Sequence, residues 1–420
     1  MAVVRASTPT TTGTVDFTVS GFGTPKAAMF FMLYSPGSDG SASYDQLHQS
    51  IGFTDGTRDR SATCEGRNAR ATTQTGRASR NAVACQVASQ TASVRKEGTF
   101  NSWITDGVRI DWTITGGTES LELVCVLFGG GDLTAYVNDI NVQTTTSTTD
   151  PGFKPDLVFF AGDAAGQGGG YTTHSILSFG AAVRGSGDSI TQTCVTRGDE
   201  NGQSTTDVTS VHFTDHIASQ TLNGATNWKS ALTSWDASGF TVTPAAGTGG
   251  DDAAYLALEF GGGSVTLIND FETGTSATTV AYTTAATPQA IIGCMSSLQA
   301  ADSMDTGAQS ESLAFFAATA SAEFSQCASA DDNNTDSNYH ALSDTKSLSV
   351  GQDTASGYVD LAVATLDSLN ATDFTLDYST APATSIYGWA VAIEEGDAGG
   401  EFLRIGMTGG MKELTGGMNG

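Results

Sequence analysis

Apolar and polar residues alternate along most of this chain with a period of two. VDFTVS from Val15, RIDWTI from Arg109, FTVTP from Phe240 and SVTLI from Ser264 each place every second side chain on an apolar face. That is the pattern of strands with one face buried. Three runs are apolar throughout: AAMFFMLY from Ala27, DLVFFAG from Asp156 and QAIIGCM from Gln289. They predict strands buried on both faces. Segments rich in Gly, Asn and Asp (SPGSDGS, RGDENGQ, DDNNTDSN) read as hairpin loops. Two stretches, roughly 78–91 and 224–235, read as helical. The whole predicts an all-β chain of tandem β-sandwich modules, jelly-roll-like, with few short helices.

The pattern also repeats. Pro25, Pro155 and Pro288 each lead into an apolar run, at intervals of 130 and 133 residues. Cys64, Cys194 and Cys327 show the same two intervals. Trp103-Ile104-Thr105-Asp106-Gly107-Val108 aligns with Trp235-Asp236-Ala237-Ser238-Gly239-Phe240, and Thr372-Asp373-Phe374 falls at the third equivalent place. Repeats of this kind are one structural unit copied along the chain. They divide it into an N-terminal arm (1–11), three sandwich modules (12–140, 141–275, 276–396) and a C-terminal tail (397–420). The modules could be beads on a string or one pseudo-threefold body, and the sequence leaves that choice open.

Composition narrows the partners. Eighteen Lys and Arg stand against 45 Asp and Glu, a net charge of −27, which excludes general nucleic-acid binding and disfavours a polybasic membrane anchor. The longest apolar run is far short of the ~20 residues of a membrane helix. The first twenty residues lack the apolar core of a signal peptide, so the expectation is a chain made in the cytoplasm that stays soluble. Six cysteines without a CxxC or a close pair read as small apolar strand residues.

Candidate chemistry is sparse. His212 and His216 are four apart without the Glu of a zinc helix motif. Asp332, Asn334 and Asp336 alternate like calcium ligands, but Ser337 and Ser343 replace the Gly and Glu an EF-hand requires. The two histidines read as surface or half-buried polar residues, Asp332, Asn334 and Asp336 stay open as either a looser calcium site or a solvated hairpin tip, and no cofactor is expected. Arg197-Gly198-Asp199 lies in a predicted hairpin and is an integrin-type tripeptide by composition alone. Tyr171, Trp228 and Tyr339 are the aromatics available to a glycan. One feature rises above these: Arg58, Arg60, Arg67, Arg70, Arg77, Arg80 and Arg95 crowd into module 1, leaving it nearly neutral while the remainder carries almost all the negative charge. The cluster reads either as a solvated basic loop or as a docking face, through Arg67, Arg70, Arg77 and Arg80, for an acidic neighbour, since a guanidinium grips carboxylates in a planar fork. That neighbour is either modules 2 and 3 or a second copy. In the tail, Phe402, Leu403, Ile405, Met407 and Met411 are too apolar for a free linker and are expected to dock on a partner.

Module 2 carries a familiar series: Gly152-Phe153-Lys154-Pro155-Asp156, His174-Ser175, Val183-Arg184-Gly185, Gly239-Phe240-Thr241-Val242 and the strand Tyr255 to Phe260. It resembles a repeat of tail, fibre and other virion proteins of tailed bacteriophages. Module 1 retains Gly21-Phe22 and Pro25, and module 3 retains Pro288 and Phe374-Thr375. Phe159-Phe160-Ala161 replaces the Trp-Ile-Lys usual in the family. The resemblance implies a non-enzymatic structural or attachment protein of a virion. Its partners would be other virion proteins, copies of itself and, for an adhesin or receptor-binding role, a host surface glycan.

Overall fold

The computed structural model describes residues 1–34, 40–43, 46–67, 72–88, 93–142, 145–165, 171–203, 208–246, 252–305, 311–330, 338–352 and 358–394. Among the described residues the one helical element is a single 3-10 turn, Ser186–Asp188. Everything else regular is strand. The first module runs β1 (Ala2–Ser7), β2 (Gly13–Thr18), β3 (Ala27–Leu33), β4 (Gly40–Ser43), β5 (Gln46–Thr54), β6 (Asp59–Arg67), β7 (Gln74–Arg80), β8 (Ala84–Ala88), β9 (Ser93–Ile104), β10 (Gly107–Ile114) and β11 (Glu122–Phe128). An inner layer, ordered β1-β11-β3-β5-β6-β7, faces an outer layer, β2-β10-β9-β8. All pairs are antiparallel.

The same eleven strands recur in the same order from Leu133 to Phe260 and from Val265 to Glu394. The structural repeat therefore starts one strand earlier than the divisions drawn from sequence. Residues 1–11, expected as an arm, supply β1, which pairs with β11 from Ala2↔Leu127 to Ser7↔Glu122. Leu133–Asn141 opens module 2 and Val265–Glu272 opens module 3. The reason is local: the opening strands of modules 2 and 3 follow the preceding module's last strand across the short links Gly129–Asp132 and Gly261–Ser264 and read as that module's end, while the Pro-led run behind each is the stronger signal.

The three modules are not beads. β4 leaves its own sheet and pairs with Asn338–Ser343 of module 3. Its module 2 counterpart, Thr172–Thr173, pairs with β7. Met304–Asp305 of module 3 pairs with Val208–Phe213 of module 2. Every inner sheet thus gains a seventh strand from a neighbour, and the donations close a ring. An exposed sheet edge is a template for unwanted pairing, and each donated strand covers one.

The inner sheets turn their far faces to one another. Met29, Phe31 and Leu33 enter a core shared by all three modules, whereas Ala28, Phe30 and Met32 fill the sandwich of module 1. This double burial explains the unbroken apolar runs. At the centre Phe31, Phe179 and Phe315, one from each module, form a triangle with ring centroids 5.1–5.6 Å apart. Trp389 packs on Phe179 at 4.9 Å and donates its indole N–H to the Phe179 carbonyl at 3.1 Å.

One cross-strand pair shows the repeat tolerating exchange. Phe30 faces Gly52, Phe160 faces Gly180, and in module 3 the order reverses to Gly293 facing Phe316. A Cβ on Gly52 or Gly180 would lie 2.0 Å from a carbonyl oxygen of the outer layer, and one on Gly293 would lie 2.1 Å from the Phe316 ring. The space holds one ring per pair.

Two expectations are corrected. The described parts of the helical stretches are strands: 78–88 ends β7 and forms β8, 89–91 lie outside the described residues, and Ala225–Asp236 is a single twelve-residue strand. Burial at Trp228, Ser230 and Leu232 follows period two, so sheet pairing overrides local helix preference. The cysteine intervals also mislead. Cys64 pairs with Gln49 and faces the central core, Cys194 pairs with Gly180 beside Ser219, and Cys327 pairs with Ala314 in the module 3 sandwich. They occupy three different register positions.

Candidate functional site

Lys154, Pro155, Asp156 and Arg184 of the module 2 series meet at one end of that module, whereas His174 and Ser175 lie at the opposite end of the strand Ser175–Arg184, toward module 1. Pro155 fixes the approach to the strand Leu157–Ala165, and Arg184 closes the paired strand Ser175–Arg184. The Arg184 guanidinium donates to the Pro155 carbonyl at 2.9 Å and to the Asp156 carboxylate. The other Asp156 oxygen accepts the backbone N–H of Phe260 at 2.7 Å. Lys154 pairs with Asp188 of the 3-10 turn at 2.8 Å, and their attraction holds the Asp188 carboxyl below its usual range. Three strands are tied by one knot of opposite charges. In module 1 the Asp156 position is taken by Lys26, which donates its Nζ to the carbonyls of Gly131 and Leu133, both at 2.8 Å. It pins the Gly129–Asp132 linker into module 2.

Three of module 1's arginines, Arg58, Arg60 and Arg77, lie along its seam with module 2. Arg60 donates to Asp139 at 2.7 Å and to Asn138 at 3.0 Å. Arg58 lies 4.5 Å over the Tyr136 ring, and neighbouring Asp55 accepts the Val137 N–H. Arg77 is buried and donates to the carbonyls of Thr173 and His174 in the donated strand and just after it. Arg80 instead binds Glu97 of its own module at 2.9 Å. Arg67 is half-buried at the end of β6, and Arg70 lies outside the described residues. Farther along the seam, Thr73 and Thr75 bond to Asp199, Glu200, Asn201 and Gln203 of module 2.

The seam between modules 2 and 3 is built differently. Thr214 donates to both Asp302 oxygens, Asn269 donates to the Thr214 carbonyl, and Thr193 donates to the Asn269 carbonyl. Between modules 3 and 1, Gln49 donates to the Leu313 carbonyl at 2.9 Å and Arg5 reaches Asp344 at 3.4 Å.

Several titratable groups are enclosed. His48 accepts the Val87 N–H and neighbours Thr63 at 3.4 Å, while Ser79 donates to Asp163 and not to His48. His48, Ser79 and Asp163 are all buried. Burial, with Arg95 and Lys96 nearby, pushes His48 down to about 3, and burial pushes His212 down to about 4. Both rings are neutral. All six thiols are buried, which pushes Cys64 and Cys327 up to about 11 and Cys194 to about 12. Such thiols are poor nucleophiles. Glu311, raised to about 8 by burial and by Asp305, sits behind the donated strand Met304–Asp305 with Ser297 at 3.2 Å. Lys96 is lowered to about 8 by burial and is surrounded by oxygens of Thr8, Pro9 and Glu119 at 2.6–2.9 Å.

Other candidates from the sequence resolve plainly. Arg197 and Asp199 belong to the strand Ile190–Asp199 and are each 3% exposed, so the tripeptide is no surface hairpin. Arg197 reaches Cys64 of module 1 and Cys327 of module 3 electrostatically, which places it near the molecular axis. His212 lies in a strand and His216 in the turn beyond it, beside Asp215. No group of three metal-ligating side chains occurs among the described residues. Asp332, Asn334, Asp336, Phe402, Leu403, Ile405, Met407 and Met411 lie outside the described residues. Trp228 is fully buried. Tyr171 packs across Gly76 and donates its hydroxyl to the Thr75 carbonyl at 2.8 Å. Neither is a free glycan platform, and the Tyr339 side chain is outside the description.

Comparison with family models, with curated proteins and with solved structures finds no match in any of the three. The function must therefore be argued from the residues. Sequence reading missed Asp163, Glu311 and Lys96, polar groups enclosed at seams and crossovers. Lys96 alone left a signal, as a cation at a buried phase of β9.

Proposed function

We propose that this chain is a non-enzymatic structural or attachment component of a tailed-phage particle, assembling through contacts with other virion proteins and with its own copies. The observation that carries the reading is the closed ring. One chain supplies a body with pseudo-threefold repetition, knitted by three donated strands and a common core. Such a body suits a symmetric particle, where one patch must meet repeated neighbours.

Two further observations support it. Pro155, Asp156 and Arg184, motif residues shared with phage virion repeats, form part of the structural knot of module 2, the use expected of marks retained for architecture. The imidazoles of His48 and His212 and all six thiols are sequestered in forms of low reactivity. Cosedimentation tests the proposal: the chain should remain with intact virions through a density gradient at constant stoichiometry. Its recovery only among free host proteins overturns the reading.

A further inference from the structure

Two clefts adjoin at the seam between modules 3 and 1. The first, about 300 Å³, is lined by Met1, Val4, Val19, Phe22, Thr319 and Ala322 among others, and is mostly apolar. The second, about 610 Å³, shares Thr319, Ser321 and Ala322 with it and carries Glu323, Asp344 and Asp367. Val4, Val19 and Phe22 are only partly buried.

The register shows what belongs there. Val3 pairs with Val126, Val137 with Leu256 and Leu267 with Val391. Counting two residues outward makes Phe128 and Ala135, Leu258 and Val265, and Ile393 and Met1 equivalent pairs. The chain bridges the first two gaps itself, through Gly129–Asp132 and Gly261–Ser264. The third gap lies between the last described strand and the first. Ile393 pairs with Ala290, which pairs with Thr319. At about 4.8 Å per strand spacing the chain leaves module 3 about 10 Å from the cleft wall. From Ile393, Phe402 lies within a reach of about 30 Å.

We propose that residues 402–407 of the same chain fold back into this pair of clefts and clasp module 3 to module 1. In an extended segment Leu403, Ile405 and Met407 share one face, and that face meets the apolar cleft. Arg404 lies on the opposite face and turns to the acidic groove. The partner on which the tail docks is thus module 1 of its own molecule.

Hydrogen–deuterium exchange tests this by comparing the full chain with one ending at Ala398. Amides of residues 2–4 and 19–22 should exchange at least tenfold faster in the shortened chain. A synthetic peptide of residues 401–413 should restore their protection, and the same peptide with Leu403→Asp and Ile405→Asp should not. Should the shortened chain fail to fold, the full chain bearing those two substitutions is measured instead and should show the same loss. Equal exchange in intact and altered chains overturns the proposal. Protection that grows with protein concentration, together with a dimer by light scattering, also overturns it, by assigning the cleft to a second copy's tail.

Discussion

At the scale of single residues, the most informative group is the charged knot of module 2. Lys154, Asp156 and Arg184 belong to the series singled out in the sequence, and Asp188 joins them only in the fold. Their geometry shows why such spacing is worth keeping. Asp156 can bond to Arg184 and to the Phe260 N–H only if the strands around 157, 184 and 260 lie side by side. Arg184→Ala removes the donor from two oxygens in a partly enclosed site and should cost about 1.5–3 kcal/mol, the range for hydrogen bonds to charged groups. Urea unfolding would register this as a lower midpoint with an unchanged slope. Arg184→Lys should recover only part of the loss, since an ammonium cannot hold both partners in one plane. The cysteines teach the opposite lesson. Their intervals repeat as faithfully as those of the prolines, yet they occupy different registers and faces. A small apolar side chain fits many strand positions, whereas a proline before a buried strand fits few.

At the scale of elements, period two marked β2, β10 and the strands Gly239–Ala246 and Val265–Glu272, and continuous apolar runs identified strands buried twice. Donated strands were illegible for a physical reason. Thr172–Thr173 and Met304–Asp305 are two residues long, too short to show any period, and their partners lie in another module. The polar groups they cover were hidden for the same reason. Glu311 heads an apolar strand, and nothing near it in sequence reveals that Asp305 and the module 2 residue Ser210 will enclose it. Its carboxyl is raised to about 8 in the fold, against about 4.3 in an unfolded chain. The folded state therefore holds the extra proton between those values. The stability this contributes is fully present below about pH 4.3 and is lost as pH rises through about 8. Glu311→Gln keeps the shape and removes the titration. The difference in unfolding midpoint between wild type and variant should widen steadily from pH 5 to 8 in the variant's favour. A constant difference would place Glu311 in a more open setting than the seam provides.

At the scale of the molecule, the ring makes a prediction that beads on a string would not. Three sandwiches sharing one core and trading edge strands should melt as one cooperative unit, with calorimetric and van't Hoff enthalpies in agreement. Independent modules would melt in steps. The register equivalence of the three seams sharpens this into a stricter test. If Ile393 and Met1 stand in the same relation as Phe128 and Ala135, a glycine-rich linker as long as the native crossing should join Glu394 to Met1. New ends could then be opened between Gly130 and Gly131, where a tight loop joins two inner-layer strands. Such a permuted chain keeps every donated strand and every contact of the Phe31–Phe179–Phe315 triangle. It should therefore fold to a monomer of the same mass and melt in one transition within a few degrees of the parent. The opening costs little, because a surface linker of glycines orders few side chains. A permutant that aggregates, or melts in two steps, would mean that the third seam is held less tightly than the two the chain crosses.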